Sequence, residues 1–146
     1  MFSVLTGIRY VDISKLLWSE IHYIENDGYY VIFRQKKTQG AETMPISDEA
    51  FELLGKRKGD KELVFKKLNK WDVDRVLPVW VASSGINKHI TFHCFRHTYA
   101  TLQLAAGTDI FTISKMLGHR SVKTTQVYVK VIDQKKRDAA NRISLG

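Results

Sequence analysis

Residues 91–107, TFHCFRHTYATLQLAAG, predict a helix that begins at Thr91 and stops at Gly107. Its apolar residues recur at helical spacing and are Phe92, Phe95, Tyr99, Leu102 and Leu104. Because His93 and Arg96 are three residues apart, this helix would place an imidazole and a guanidinium on neighbouring turns of one face. The stretch therefore predicts both a helix and a candidate chemical site.

The sequence after this helix keeps a helical pattern. Asp109–Leu117 predicts a short helix that is closed by Gly118, and Ser121 begins a further helix that runs toward Tyr128. Residues 133–144 are polar and basic and also predict a helix. The second half of the chain is thus expected to be helical throughout.

Two further helices are predicted upstream of residue 91. Ser47 can cap a helix that continues through Phe51 and stops at Gly55. Asn69 can cap another helix that ends near Gly85. Both caps use a side-chain oxygen that accepts a hydrogen bond from a backbone N–H of the first turn.

The first 46 residues predict a small sheet preceded by a short helix. Ile21–Glu25 and Tyr29–Gln35 are rich in residues that favour strands, and Asn26-Asp27-Gly28 between them is a strong hairpin turn signal. Thr43–Ile46 would add a third strand, and Val11–Trp18 has helical spacing. We therefore expect a mainly α fold of the α+β class, with a three-stranded antiparallel sheet.

Composition limits the class of protein. The 146 residues are 44% hydrophobic and 26% charged, a balance typical of one globular domain. No segment approaches the roughly 18 apolar residues of a membrane span, and the N-terminus lacks a signal-peptide pattern. Cys94 is the single cysteine, which excludes an internal disulfide and a four-cysteine zinc site. We expect a cytoplasmic chain that does not act at a membrane.

The net charge of +8 is unevenly distributed. Residues 1–54 carry 5 basic and 8 acidic side chains, whereas residues 55–146 carry 18 and 7. The densest basic run consists of Lys56, Arg57, Lys58, Lys61, Lys66, Lys67 and Lys70. This asymmetry favours a polyanionic partner such as nucleic acid. The alternative is that the charged side chains only keep the protein soluble.

Several common catalytic motifs are absent. The sequence has no phosphate-binding loop, no dinucleotide-binding glycine pattern and no Gly-x-Ser-x-Gly elbow. His93 and His97 have the spacing of zinc ligands, but Arg96 lies between them and no glutamate base accompanies them. We therefore expect neither a metal nor a cofactor.

Polar residues at predicted breaks between elements complete the candidate set. Arg9 follows Thr6-Gly7, and Asp12 is placed to pair with it. Lys37 lies in the loop after the second predicted strand, and His119 follows Gly118 where a helix ends. Taken singly, each has an ordinary structural explanation, such as a surface ion pair or a packed ring.

The order of these motifs resembles the tyrosine recombinases, the phage-integrase family, in the style of integrases carried by mobile elements. The motifs are Thr6-Gly7-Ile8-Arg9, Lys37, His93-x-x-Arg96-His97-Thr98, Leu117-Gly118-His119 and Thr124-Thr125-Gln126-Val127-Tyr128. The resemblance covers essentially the whole chain. It implies a compact helical catalytic domain that breaks and rejoins DNA.

The resemblance implies six catalytic residues, namely Arg9, Lys37, His93, Arg96, His119 and Tyr128. Tyr128 would be the nucleophile, and its covalent product would retain the bond energy, so that strands are rejoined without ATP. A tyrosine hydroxyl has an ordinary pKa near ~10 and needs assistance to attack. Two guanidiniums would supply paired hydrogen bonds to the anionic phosphate and stay charged at any working pH.

The resemblance assigns the remaining groups to proton transfer and phosphate binding. Lys37 would protonate the leaving 5′ oxygen, although the adjacent Lys36 is an alternative for this role. His93 would be the acid/base partner near the nucleophile, and His119 would hydrogen-bond the phosphate. His97 is interpreted as a packing residue.

The partners implied are double-stranded DNA and other copies of the chain, as a homo-tetramer on DNA and a monomer without it. Accessory proteins that bend DNA are a further expectation, as is a bacterial, nucleoid-associated location. Whether the tyrosine acts in its own site or a neighbour's is left open. The tail Val131–Leu145 would pack either on a neighbouring protomer or on its own core.

The beginning of the chain resembles the tail of a helix, because Met1–Leu5 is apolar and lacks a cap. We therefore expect residues 1–146 to be a single catalytic domain, cut at its N-terminal side and without the N-terminal DNA-binding domain of the family. Such a fragment would bind DNA weakly and in a strongly salt-dependent manner, and it could be inactive alone.

Two other functions also fit part of the sequence. Asp109–Leu117 and Ser121–Tyr128 could form a non-catalytic helix-turn-helix DNA-binding module, with Arg120 and Lys123 on phosphates or base edges. A metal-free nuclease could instead use His93 and His119 on water. The first alternative leaves Arg9, Lys37, His93 and Arg96 without a role, and the second leaves Tyr128 without one.

Overall fold

A computed structural model, which describes residues 1–34 and 41–141, confirms the mainly helical fold with one three-stranded antiparallel sheet. The chain divides into two compact units, and the boundary in sequence lies between Arg96 and His97. Within the described ranges, no helix is both long and apolar enough to cross a lipid bilayer.

The helices and strands have the following bounds. The first unit contains α1 (Phe2–Thr6), α2 (Tyr10–Ile13), β1 (Ile21–Ile24), β2 (Gly28–Arg34), β3 (Ala41–Ile46), α3 (Asp48–Glu52) and α4 (Lys70–Ser83). Helix α5 (Phe92–Ala105) crosses the boundary, and the second unit also contains α6 (Ile110–Met116) and α7 (Gln126–Ala140). Short 3-10 helices occupy Trp18–Glu20 and Val122–Thr124.

The sheet has the order β1-β2-β3, and its register brings three apolar residues into one row. Ile21 pairs with Val31, which in turn pairs with Met44. All three side chains are buried. The predicted turn between β1 and β2 is confirmed, with Asn26 in a left-handed conformation at φ 66°. The row of Ile21, Val31 and Met44 therefore lies on a buried face of the sheet.

The predicted helix caps at Ser47 and Asn69 are confirmed. The Ser47 hydroxyl accepts a hydrogen bond from the Ala50 N–H at 3.2 Å. The Asn69 amide oxygen accepts one from the Asp72 N–H at 2.8 Å. Each bond satisfies a backbone donor that the first helical turn leaves without a partner.

The predicted helix over Val11–Trp18 is wrong in extent, because α2 ends at Ile13. The chain then becomes extended and pairs with a distant segment. The Trp18 N–H donates to the Glu62 carbonyl at 3.1 Å, and the Val64 N–H donates to the Leu16 carbonyl at 2.8 Å. Leu16 is buried in this segment, as it would be on the inner face of a helix. The spacing of the apolar residues therefore could not distinguish a helix from an extended segment.

The predicted helix from Ser121 to Tyr128 is also wrong in its first turns, which are not α-helical. Ser121 caps a 3-10 helix and accepts a hydrogen bond from the Lys123 N–H at 3.3 Å. The α-helix itself begins only at Gln126 and continues to Ala140. Residues 142–144 of the predicted basic helix lie outside the described residues.

The turn after α1 is fixed by hydrogen bonds from buried side chains. Gly7 has φ 67°, and its N–H donates to the Ser3 carbonyl at 2.9 Å. The Thr6 hydroxyl accepts the Ile8 N–H at 3.3 Å, and the Ser3 hydroxyl donates to the Ile8 carbonyl at 2.9 Å. These contacts determine the direction in which the chain enters α2.

We expect Val31→Ala to lower the free energy of unfolding by about 2–3 kcal/mol, since it removes two buried methyl groups and leaves a cavity. Val31 is 0% exposed, whereas Val11 is 54% exposed and serves as the control. Urea unfolding followed by circular dichroism measures both variants. A comparable loss in Val11→Ala would contradict this description of the core.

We expect Gly7→Ala to lower the free energy of unfolding by about 1–2 kcal/mol, because a Cβ at φ 67° approaches the next carbonyl oxygen. Gly59 is the matched control, since its φ lies outside the left-handed region and an added Cβ would meet only the Glu62 side chain. Gly59→Ala should stay within about 0.5 kcal/mol of the parent. Equal losses in thermal unfolding would argue against backbone strain as the cause.

Candidate active site

Arg9 lies between α1 and α2, where the backbone turns from one short helix into the next. Its backbone is extended, with φ −71° and ψ 151°, and its carbonyl accepts the N–H groups of Asp12 and Ile13 at 3.0 Å each. Its Nε donates to Asp12 Oδ2 at 2.7 Å, as the sequence predicts. Since a guanidinium has five N–H donors, this ion pair orients Arg9 and leaves further donors for a ligand.

Arg96 occupies α5 in the first unit and is 7% exposed. Its Nη1 donates to the Gly7 carbonyl oxygen at 2.6 Å. Gly7 stands two residues before Arg9, so this bond ties the second guanidinium to the turn that carries the first. The contact joins positions 89 residues apart in sequence.

One pocket of about 210 Å³ in the first unit brings together Arg9, His93 and Arg96. The remaining residues that line it are Ser3, Ile8, Tyr10, Val11 and Phe92. Two cations and an imidazole therefore share a recess whose other walls are mostly apolar. Apolar walls lower the local dielectric constant and strengthen the attraction of such cations for an anion.

Aromatic contacts hold the start of α5 next to α2. Tyr10 and Phe92 pack edge to face with ring centroids 5.3 Å apart, and Phe92 contacts Phe95 in the same manner at 5.2 Å. The Tyr10 hydroxyl donates to the Leu68 carbonyl at 3.5 Å. This packing fixes the helical turn from which His93 projects.

In the second unit, Asp109 begins α6. Its Oδ1 accepts the N–H groups of Phe111 and Thr112 at 3.0 Å each, and its Oδ2 accepts the Thr112 hydroxyl at 2.5 Å. These hydrogen bonds, the Thr112 hydroxyl first, hold the pKa of Asp109 below its usual range. The helix that leads to His119 therefore has a charged cap.

Helix α6 ends in a paired set of hydrogen bonds that determines where His119 stands. Gly118 adopts a left-handed φ of 60°, and its N–H donates to the Lys115 carbonyl at 2.8 Å. The His119 N–H donates to the Ser114 carbonyl at 2.9 Å. Together these bonds form a Schellman motif, which requires a residue such as glycine at the left-handed position.

The ring of His119 is held by Thr125. Its Nδ1 lies 2.8 Å from Thr125 Oγ1, and Thr125 is 0% exposed. Thr125 was not among the predicted site residues, because its contact depends on the turn between α6 and α7. Only its place in the segment Thr124–Tyr128 drew attention to it.

Tyr128 lies in the first turns of α7 and is 5% exposed. It belongs to the apolar cluster of the second unit, together with Tyr99, Ala100, Ile113 and Leu117. The His97 ring packs against it with centroids 5.4 Å apart, which agrees with the interpretation of His97 as a packing residue. The burial of Tyr128 fixes the position of its ring within this unit.

The structure thus brings three of the predicted site residues to one pocket. In the second unit, Thr125 lies between two others, because its hydroxyl contacts the His119 ring and its carbonyl accepts the Tyr128 N–H. Arg9, His93 and Arg96 share the pocket of the first unit, whereas His119 and Thr125 are in contact in the second. Lys37 and its alternative Lys36 lie outside the described residues. Within the described part of the chain, no three His, Cys, Asp or Glu side chains are grouped to hold a metal ion.

Comparisons with known proteins identify relatives of similar sequence. A tyrosine recombinase of Agathobacter rectalis is 33% identical over 146 aligned residues, which cover 91% of this chain and 46% of that protein. The chain therefore spans about half the length of this relative.

Solved structures give the same result for the fold. A crystal structure of XerA recombinase matches with a TM-score of 0.75 and 26% identity, over 95% of this chain and 53% of that one. The catalytic domain of bacteriophage HP1 integrase matches with a TM-score of 0.66 and 27% identity, over 88% of this chain and 70% of that one. The model of the phage integrase family matches residues 1–135, and the chain belongs to that family.

Proposed function

We propose that this chain is the catalytic part of a site-specific DNA recombinase or integrase. It would cut and rejoin double-stranded DNA through a covalent 3′-phosphotyrosyl intermediate, without metal or ATP. The observation that carries the proposal is the pocket shared by Arg9, His93 and Arg96 in a member of the phage integrase family.

The two arginines suit the binding of one phosphodiester. Arg9 uses Nε for Asp12, and Arg96 uses Nη1 for the Gly7 carbonyl. A guanidinium carries five N–H donors in a fixed planar arrangement, which suits paired hydrogen bonds to the non-bridging oxygens of a phosphate. Because these contacts are built before DNA arrives, little reorganisation is needed when charge develops in the transition state.

The covalent step exchanges one phosphodiester for another. The Tyr128 oxygen attacks phosphorus and loses its proton to His93, while the bond from phosphorus to the 5′ oxygen breaks. Lys37 donates a proton to that oxygen, which leaves as a hydroxyl, and His119 hydrogen-bonds the phosphate. The reverse reaction uses a 5′-hydroxyl as the nucleophile and releases the tyrosine, so bond energy is conserved.

We also propose which partners take part in the reaction. The excess of cations after residue 54 supports a DNA partner, because phosphates release counterions when Lys and Arg replace them. We propose that the protein acts as a homo-tetramer on DNA, in the bacterial cytoplasm and on mobile-element DNA. Accessory bending proteins and the identity of the protomer that supplies the tyrosine are further elements to test.

The helix-turn-helix alternative has less support from the described geometry. Residues 117–125 separate α6 from α7 and include a 3-10 helix. The turn in a helix-turn-helix motif is about three to four residues long. A nuclease that uses His93 and His119 on water would leave the buried Tyr128 without a chemical role, and substitution of Tyr128 tests this alternative.

We expect Tyr128→Phe to abolish covalent capture of DNA. The full-length protein is incubated with nicked suicide duplexes whose target region is randomised, and adducts that survive denaturing detergent are isolated and sequenced. Tyr99→Phe is the matched control, since Tyr99 is a buried tyrosine of the same apolar cluster. It should retain the adduct.

Three outcomes of this assay would count against the proposal or refine it. Cleavage that persists in Tyr128→Phe would favour the nuclease. Binding without any adduct or cleavage by the parent protein would favour the DNA-binding module. Capture that is lost equally in Tyr99→Phe would point to a packing defect rather than a missing nucleophile.

We expect Arg9→Lys to slow adduct formation about 10²-fold in single-turnover experiments, since lysine keeps the charge but loses the forked hydrogen-bond geometry. DNA affinity, measured by fluorescence anisotropy, should change little. Arg75→Lys is the control, because Arg75 is an exposed residue of α4 outside the pocket. Equal rates in the two variants would exclude a role for the Arg9 guanidinium.

A further inference from the structure

We propose that Thr125 is a positioning residue that orients the His119 imidazole for hydrogen bonding to the DNA phosphate. This inference rests on the proposed function and adds a residue to it. Thr125 is fully buried, yet its side chain carries a hydroxyl, and that hydroxyl lies 2.8 Å from His119 Nδ1. A buried hydroxyl requires a partner, and here the partner is the ring of a proposed catalytic residue.

The backbone of Thr125 is fixed on both sides of this contact. Its N–H donates to the Val122 carbonyl at 2.8 Å, and its carbonyl accepts the Tyr128 N–H at 3.0 Å. One residue therefore contacts the His119 ring through its side chain and the first turn of α7 through its backbone. The spacing between the imidazole and the helix that bears the proposed nucleophile is set by Thr125.

The direction of this hydrogen bond would determine the tautomer of the His119 ring. If the Thr125 hydroxyl donates to Nδ1, the proton of the neutral His119 ring resides on Nε2. That nitrogen is then a donor toward a phosphate oxygen, as the proposed role of His119 requires. The His119 N–H is held by the Ser114 carbonyl at 2.9 Å, so backbone and ring are fixed independently.

The test compares Thr125→Val with Thr125→Ser in the full-length protein. Valine keeps the branched shape and removes the hydroxyl, whereas serine keeps the hydroxyl. We expect adduct formation to slow 10- to 100-fold in Thr125→Val and to stay within about threefold in Thr125→Ser, with unchanged DNA affinity in both.

A double-mutant cycle separates positioning from packing. In a His119→Ala background, Thr125→Val should cause no further loss of rate, because the hydroxyl acts through the ring that is already absent. A loss of the same size in both backgrounds would show that Thr125 acts through packing and would overturn the proposal.

Nitrogen NMR of the histidine ring tests the proposal without catalysis. We expect the Nε2–H tautomer of His119 in the parent protein and in Thr125→Ser, and a tautomer mixture in Thr125→Val. An Nδ1–H tautomer in the parent would overturn the inference even if the adduct forms. If no adduct forms but the Nε2–H tautomer depends on Thr125, the positioning stands and the proposed recombination fails.

Discussion

The hydrogen bond from the buried Arg96 guanidinium to the Gly7 carbonyl is the interaction on which the first unit's site depends. It is 2.6 Å long and joins the turn after α1 to α5. A buried cation is unfavourable unless it is hydrogen-bonded, and a carbonyl at the end of a helix lacks an intrahelical partner. The bond satisfies the carbonyl, gives the guanidinium a hydrogen-bond partner and places Arg96 beside the turn that leads to Arg9.

The local parts of the fold could be predicted from the sequence, because their signals lie within a few residues. The caps at Ser47 and Asn69 and the turn at Asn26 depend only on neighbouring backbone groups. The extent of α2 could not be predicted in this way. Its continuation is extended because Leu16 and Trp18 pair with residues 62–64, and no local pattern indicates that partner.

The candidate site residues also differ in whether their contacts are local or distant in sequence. The pair of Arg9 and Asp12 was predictable because the two residues are three positions apart. The common helix of His93 and Arg96 was predictable from apolar spacing. The contact between His119 and Thr125 was not, since it depends on how the chain closes between α6 and α7. The role of Lys37 remains a prediction from the family resemblance.

In both units a candidate site residue follows a helix that ends at a left-handed glycine. Gly7 ends α1 and Gly118 ends α6, each in a left-handed conformation that lets the chain change direction at little cost. Arg9 follows the first glycine by two residues and His119 follows the second by one. A side chain just beyond a helix end projects from backbone that hydrogen bonds already fix, so its orientation does not depend on a flexible loop. The proposed mechanism would use such preorganisation to stabilise a phosphorane-like transition state, because donors that must first be ordered lose part of their binding energy.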